Sequence, residues 1–462
     1  MSLTLDFTNM MAGAIKDGIT DAEWAEGQAA FEKAHAAVEE MRKKDTLGFF
    51  ALPTDNALLE QSLAVAESVR GTIDDVLLLG IGGSALGPIA LRTALRPPGW
   101  NMLSTEQRDG YPRLHVLDNV DPDSIEAIQR RLNFPRTLVL VVSKSGGTVE
   151  TMAQYLIVRD ALDKAVGAEQ ARKQIVLVTD PEGGALRKIA RAEGITAVDI
   201  PSNVGGRFSV LTPVGVLPAA LMGVDVRAML SGAAHIIERG ANTELAQNIA
   251  GTFAVMQWLA DTKHGRHIHV LMPYADGLRD LASWFVQLWA ESLGKIRADG
   301  THTGPTPVPA LGATDQHAQV QLFMEGPADK TVTFVAVKGR EERGSIPGRH
   351  GDISELAYIG GHTLGELIDV EHRATAGALA ARGRFNATLH VDAVDAWHMG
   401  ALMQCFGLAT AYAGSLYGVD AFNQPGVELG KQYAYGMLGR PGFESAKAEF
   451  EALASPNPKY RA

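Results

Sequence analysis

Short apolar runs recur through the first half of the chain, spaced so that most gaps leave room for a helix. They fall at Val76–Leu79, Leu114–Leu117, Thr137–Val142, Gln174–Val178 and Thr196–Ile200. Two of them, TLVLVV at 137–142 and IVLV at 175–178, are apolar without alternation, as expected of strands buried on both faces of a parallel sheet. Such strand–helix repetition predicts a doubly wound α/β domain. After a helical stretch near 243–263 the rhythm resumes, with strands expected at Ile268–Met272, Thr331–Val337 and Thr388–Val391 and a weaker one at Val308–Leu311. Helical spacing covers 278–293, 363–381 and 393–413. Ahead of everything, Trp24, Phe31, Val38 and Met41 share a helical face behind Thr20 and Asp21, both able to cap it. The fold expected is α/β, two doubly wound parallel-sheet domains with helical N- and C-terminal extensions. The boundaries expected are 1–55 for the first extension, 56–225 and 226–440 for the domains, and 441–462 for a closing helix and tail.

Composition narrows the partners. A chain of 462 residues suits two domains, and 46% hydrophobic with 21% charged residues is ordinary for a globular protein. The single cysteine, Cys405, allows no intrachain disulfide, which fits a reducing cytoplasm. A formal charge of −11 supplies no basic surface for nucleic acid. An anionic substrate would need a local cluster of donors. No apolar run approaches the roughly 18 residues a membrane span needs. The opening MSLTLDFTNMMAGAIKDG lacks the basic and apolar regions of a secretion signal. The expectation is a cytoplasmic protein that acts on a small molecule and binds neither nucleic acid nor membrane.

The chemistry concentrates where strands end. Asp75–Leu79 runs into Gly80-Ile81-Gly82-Gly83-Ser84-Ala85 and then a helix, so bare N–H groups face an approaching anion. Gly80, Gly82 and Ala85 fit the dinucleotide fingerprint, but no acidic residue closes a strand about 20 residues on to hold a ribose. A compact phosphate suits Ser84 better. Thr137–Val142 ends in Ser143-Lys144-Ser145-Gly146-Gly147-Thr148, a second loop rich in hydroxyls at a strand end. Two such loops in one domain can close around one phosphate. No Walker motif is present.

Gly205-Gly206-Arg207 follows the last strand of the first domain and can aim a guanidinium into a cleft. Gln287 and Glu291 share a helix face among Trp284, Phe285, Leu288 and Trp289. Partial desolvation of Glu291 there would suit a general base, while a plain ion pair with Lys295 is the structural alternative. His317 and Lys431 mean little alone. His267 and His269 lack the further ligands a metal site needs, so no metal is expected.

Taken together, these segments resemble the glucose-6-phosphate isomerase family, built from two sugar-isomerase (SIS) domains. The matching pieces are GIGGSALGP (80–88), SKSGGTVET (143–151), GGRFSVLTPVG (205–215), ESLGK (291–295), GATDQH (312–317) and QPGVELGK (424–431). The resemblance implies that Ser84, Ser143, Lys144, Ser145 and Thr148 hold the substrate phosphate and that Gly83, Gln287 and Gln424 line the sugar site. It implies that Glu291 is the base, that Arg207 lies beside the O1 and O2 oxygens, and that His317 and Lys431 serve ring opening. In the family that histidine comes from the partner subunit, so a homodimer is implied, and no cofactor. Many relatives carry threonine where this chain has Gly147, which puts phosphate affinity in question. Two other readings stand beside it: a non-catalytic SIS-type sugar-phosphate regulator, and an NAD-dependent dehydrogenase. The regulator has no need for Arg207, Glu291 and His317 together, and the missing ribose acid disfavours the dehydrogenase.

Overall fold

The computed structural model describes residues 2–453 and 456–461. Its strands are β1 (Leu3–Asp6), β2 (Asp75–Leu79), β3 (Arg113–Leu117), β4 (Thr137–Val142), β5 (Ile175–Thr179), β6 (Thr196–Asp199), β7 (Ile268–Pro273), β8 (Lys295–Ile296), β9 (His302–Thr303), β10 (Thr306–Pro309), β11 (Lys330–Val337) and β12 (Asn386–Val391). One sheet is all parallel in the order β3-β2-β4-β5-β6. The chain steps from β2 to β3, then crosses to the other side of β2 to lay down β4. The order therefore reverses between β2 and β4.

Every residue of β2 and β4 is buried, which is why their sequences show no alternation. The pleat still divides them. Leu77, Leu79, Val139 and Val141 pack with Tyr155, Val158 and Leu162 of the helix Val149–Val166. Val76, Leu78, Leu138 and Leu140 face the other way, onto Val214, Leu217 and Leu221 of the helix Pro213–Leu221. At roughly 25 cal/mol per Å² of apolar surface removed from water, these two faces supply the main drive for this half.

The second sheet runs β1-β12-β11-β7-β10, and its last four members are parallel. Its winding repeats that of the first sheet, with the reversal between β7 and β11. The fifth member, β1, pairs antiparallel with β12, Leu3 opposite Val391. Helix was expected for the N-terminal extension, and no strand. Four residues carry too little pattern to announce a strand whose partner is nearly the whole chain away. The helix Asp21–Lys43 follows, closed by a capping box in which Thr20 and Glu23 bond each other's main chain. Its Phe31 meets Tyr412 edge-on at 5.1 Å, on the largely buried helix Ala396–Tyr417.

Two compact units emerge, Met1–Ala421 and Phe422–Ala462. Both sheets belong to the first. The second holds the helices Glu428–Met437 and Glu444–Glu451, joined through a Tyr433–Phe450 contact at 5.6 Å. Residues 454, 455 and 462 of the expected closing tail lie outside the described residues. No helix among the described residues is long and apolar enough to cross a membrane.

Candidate active site

Ligands of open α/β sheets bind beyond the carboxyl ends of the strands where the strand order reverses. In the first sheet that point carries both glycine-rich loops. They start side by side: a Cβ on Gly80 would stand 3.3 Å from the Val142 oxygen. The first loop forms a tight turn, Gly82–Ser84, before the helix Leu86–Leu95. The second gathers three hydroxyls, with Ser143 Oγ 3.0 Å from Thr148 Oγ1 and Ser145 Oγ 3.5 and 3.4 Å from those two atoms.

Thr148 is the residue ahead of the helix Val149–Val166, yet its hydroxyl does not cap that helix. It stays with the serines, at a helix start where first-turn N–H groups await an acceptor. Among the described residues, the N–H groups of Lys144, Ser145 and Thr148 make no hydrogen bond. Gly147 donates its own N–H to Ser145 Oγ at 3.3 Å. The Lys144 ammonium turns away and donates to the Ser202 carbonyl at 2.7 Å. Burial lowers its pKa, with Asp180 opposing. Lys144 thus offers the loop its backbone and ties its side chain to the neighbouring 201–203 segment.

Gly83 joins the first loop to Arg207. A Cβ there would lie 2.3 Å from the Gly206 carbonyl oxygen, so only glycine permits this backbone approach. The turn Gly206–Leu211 then sends Arg207 into the interior, where it is 3% exposed. Its Nε donates to Ser292 Oγ at 2.7 Å and one Nη to the Ala421 carbonyl at 2.5 Å. The other Nη faces Glu291 Oε1 at 3.2 Å. Burial pulls the Arg207 pKa below its ordinary value, while Glu291 and Asp420 push back.

Glu291 sits on the last turn of the helix Arg279–Leu293, a quarter exposed. Gln287, one turn earlier, donates to its other oxygen at 3.1 Å and lies against Gly82. A carboxylate, a buried guanidinium and an amide thus converge beside the first loop. Lys295 does not pair with the Glu291 carboxylate. Its ammonium donates to the carbonyls of Glu291 and Ser292 at 2.6 and 2.8 Å, closing the helix end. Burial, reinforced by Arg207, pushes its pKa down to about 8. Ser292 is a site residue that sequence reasoning passed over, and Lys295 one that it read only as an ion-pair partner of Glu291. ESLGK was their only signal.

The other candidates lie on other segments. His317 is exposed on the loop after β10 and makes no hydrogen bond or ion pair with Arg207 or Glu291. Gln424 and Lys431 belong to the second unit, where the Lys431 ammonium pairs with Glu428 at 2.8 Å. His269 is buried and accepts from Trp289 Nε1 at 3.0 Å, while His267 bonds Asp261. Among the described residues, no group of three or more His, Cys, Asp or Glu could hold a metal.

A family model described as phosphoglucose isomerase matches residues 65–455. The chain is 45% identical to the glucose-6-phosphate isomerase of Rubrobacter xylanophilus over 444 residues, 96% of this chain and 99% of that one. It is 41% identical to that of Carboxydothermus hydrogenoformans, covering 97% of each. Among solved structures, a hypothetical protein from Thermus thermophilus superposes with a TM-score of 0.85 at 38% identity, over 95% of this chain and all of that one. A glucose-6-phosphate isomerase from Chlamydia trachomatis shares the fold at 24% identity and a TM-score of 0.68, over 86% and 77% of the two chains. With most of its length matched and its paired glycine-rich loops at one sheet edge, the chain belongs to the phosphoglucose isomerase family.

Proposed function

We propose that the chain interconverts glucose 6-phosphate and fructose 6-phosphate through an enediolate, with Glu291 as the proton-shuttling base. One observation carries the proposal: the Glu291 carboxylate stands 3.2 Å from the Arg207 guanidinium, beside a loop built for a phosphate. The open-chain C2 proton lies α to a carbonyl, so a carboxylate can remove it and return it to C1. Negative charge then develops on oxygen. Arg207, fixed by Ser292 and Ala421 before substrate arrives, meets that charge without reorganising. Ser143, Ser145 and Thr148, with Ser84 and the free N–H groups, anchor the phosphate at the other end. Neither hydride nor electrons leave the substrate, so the reaction itself needs no redox cofactor.

Ring opening requires an acid and a base ahead of isomerisation. We assign it to His317 and Lys431. The exposure of His317, which makes no hydrogen bond or ion pair with Glu291 of its own chain, supports a homodimer in which each site takes this histidine from the partner. We place the two SIS domains at 56–225 and 226–440, one around each sheet, and the protein in the cytoplasm.

The test is turnover of fructose 6-phosphate in a coupled assay, followed by Glu291→Gln. That variant should lose turnover and bind a phosphorylated enediolate mimic nearly as tightly as the parent. Substantial residual activity would remove Glu291 from the mechanism. Binding without any turnover in the parent would favour a regulator.

A further inference from the structure

Both sheets have the same winding, so the second has its own reversal point between β7 and β11. The proposed phosphate cradle uses the first. A cavity of about 1310 Å³ opens at the second, lined by Asp276 after β7, Thr314 after β10, Arg340 after β11 and Asp395 after β12. The end of the helix Leu86–Leu95 and the turn that follows it, including Arg96 and Trp100, form the opposite wall. The space is larger than most small-molecule sites, which run from about 300 to 1,000 Å³.

Its charges do not cancel. Asp225 caps the helix Val226–Gly240 and Asp395 caps the helix Ala396–Tyr417, each accepting a main-chain N–H at 2.9 Å. Asp395 also holds the His398 ring at 2.8 Å. Asp276 faces Arg279 at 3.6 Å, and Arg92 donates to the Leu114 carbonyl at 3.1 Å. Arg96 and Arg340 remain. Among the described residues, neither guanidinium has a hydrogen bond or ion pair. Arg96 stacks on Trp100 at 5.1 Å, and its Nε is buried without an acceptor. Burial lowers the pKa of both arginines, outweighing Asp109 at Arg96 and Asp276 at Arg340.

We propose that this cleft is a second binding site, separate from the isomerase centre, for the dianionic phosphoryl group of a small metabolite, with Arg96 and Arg340 as its donors. An unpaired guanidinium matches the charge and the fork geometry of a phosphate monoester, and the cleft carries one on each wall. Within one chain, the cleft and Glu291 are distinct in space. Arg279, at the cavity, and Glu291 lie at opposite ends of one helix, about 18 Å apart along its axis.

Inorganic pyrophosphate is the probe. The full-length protein is titrated with pyrophosphate by calorimetry and tryptophan fluorescence, beside Thr148→Ala, which weakens only the first site. The expected result is a saturable site, one per chain, that Thr148→Ala leaves unchanged. Arg96→Gln and Arg340→Gln should each weaken it about tenfold or more with kcat unchanged, and Arg340→Lys should weaken it less. Trp100→Phe should remove the fluorescence change and keep the heat. Absence of saturable binding would overturn the proposal, as it would if a second copy of the chain covered the cleft. Binding lost in Thr148→Ala, or as tight in both glutamine variants as in the parent, would overturn it too. A failure of the isomerase reading would show separately, as absent turnover.

Discussion

Gly83 offers the sharpest test of how the phosphate loop and the catalytic arginine depend on each other. In Gly83→Ala the new methyl would stand 2.3 Å from the Gly206 oxygen and 2.9 Å from the Arg207 nitrogen. Ordinary van der Waals contact begins near 3.4 Å, so one strand of main chain must retreat by about 1 Å. No flexible side-chain end can absorb the clash, because both contacts are backbone. Overpacking of this kind costs roughly 1–3 kcal/mol of stability. The effect on catalysis is larger. Arg207 is held to Ser292, Ala421 and Glu291 through one guanidinium, and a displacement of about 1 Å at a reacting centre costs on the order of a hundredfold in rate. The expected outcome is therefore a Tm lowered by a few degrees with a kcat lowered about a hundredfold, measured by thermal melts and by the coupled assay. Gly206→Ala is the matched control. Its Cβ would meet nothing within 4 Å, and it should behave as wild type. Near-wild-type kcat in Gly83→Ala, or equal damage in Gly206→Ala, would refute the coupling.

Thr148→Ala removes one of three hydroxyls from the phosphate cradle and should raise KM roughly tenfold with kcat nearly constant, as uniform binding is lost in steady-state kinetics. The Lys295 ammonium, with its pKa pushed down to about 8, is charged below that pH and neutral above it. Its bonds to the Glu291 and Ser292 carbonyls weaken as it neutralises, so kcat should fall as pH rises through about 8. Lys295→Met should flatten that limb, and the pH–rate profiles of the two proteins decide. Asp75 is buried, which raises its pKa, but hydrogen bonds from His115 and Arg113 outweigh burial and hold it below the ordinary value. Its contribution to stability is complete above the unfolded pKa of about 3.9 and is lost as pH falls below that. Asp75→Asn should lower stability at pH 7 and flatten the acid limb, read from denaturant midpoints against pH.

How much was legible from sequence depended on whether a signal was local. The buried parallel strands announced themselves because burial on both faces leaves a continuous apolar run, and each was placed to within a residue or two. Glycines and hydroxyls at strand ends were legible for the same reason: the motif lies in one stretch of chain. β1 was missed because its only partner, β12, lies some 380 residues on and four residues set no period. Partnerships across the fold were equally invisible. Arg207 and Ser292 are 85 positions apart, and neither residue type says that one will bond the other. Lys144 looked like a phosphate ligand from its neighbours, yet its reach to Ser202 follows from where the next strands end.

The second cleft carries the same lesson further. Arg96 and Arg340 belong to no shared motif, each lies in a turn without a signature, and ordinary surface ion pairing is the default for any arginine. Arg340 follows β11 of the second sheet and Arg96 the helix Leu86–Leu95 beside the first, so only the packing of the two halves brings them to one cleft, where arginines outnumber aspartates and two guanidinium groups are left without a hydrogen-bond partner. Topology and charge balance are properties of the folded chain. A site defined by them is hidden from sequence however plain its chemistry becomes once the strands are in order.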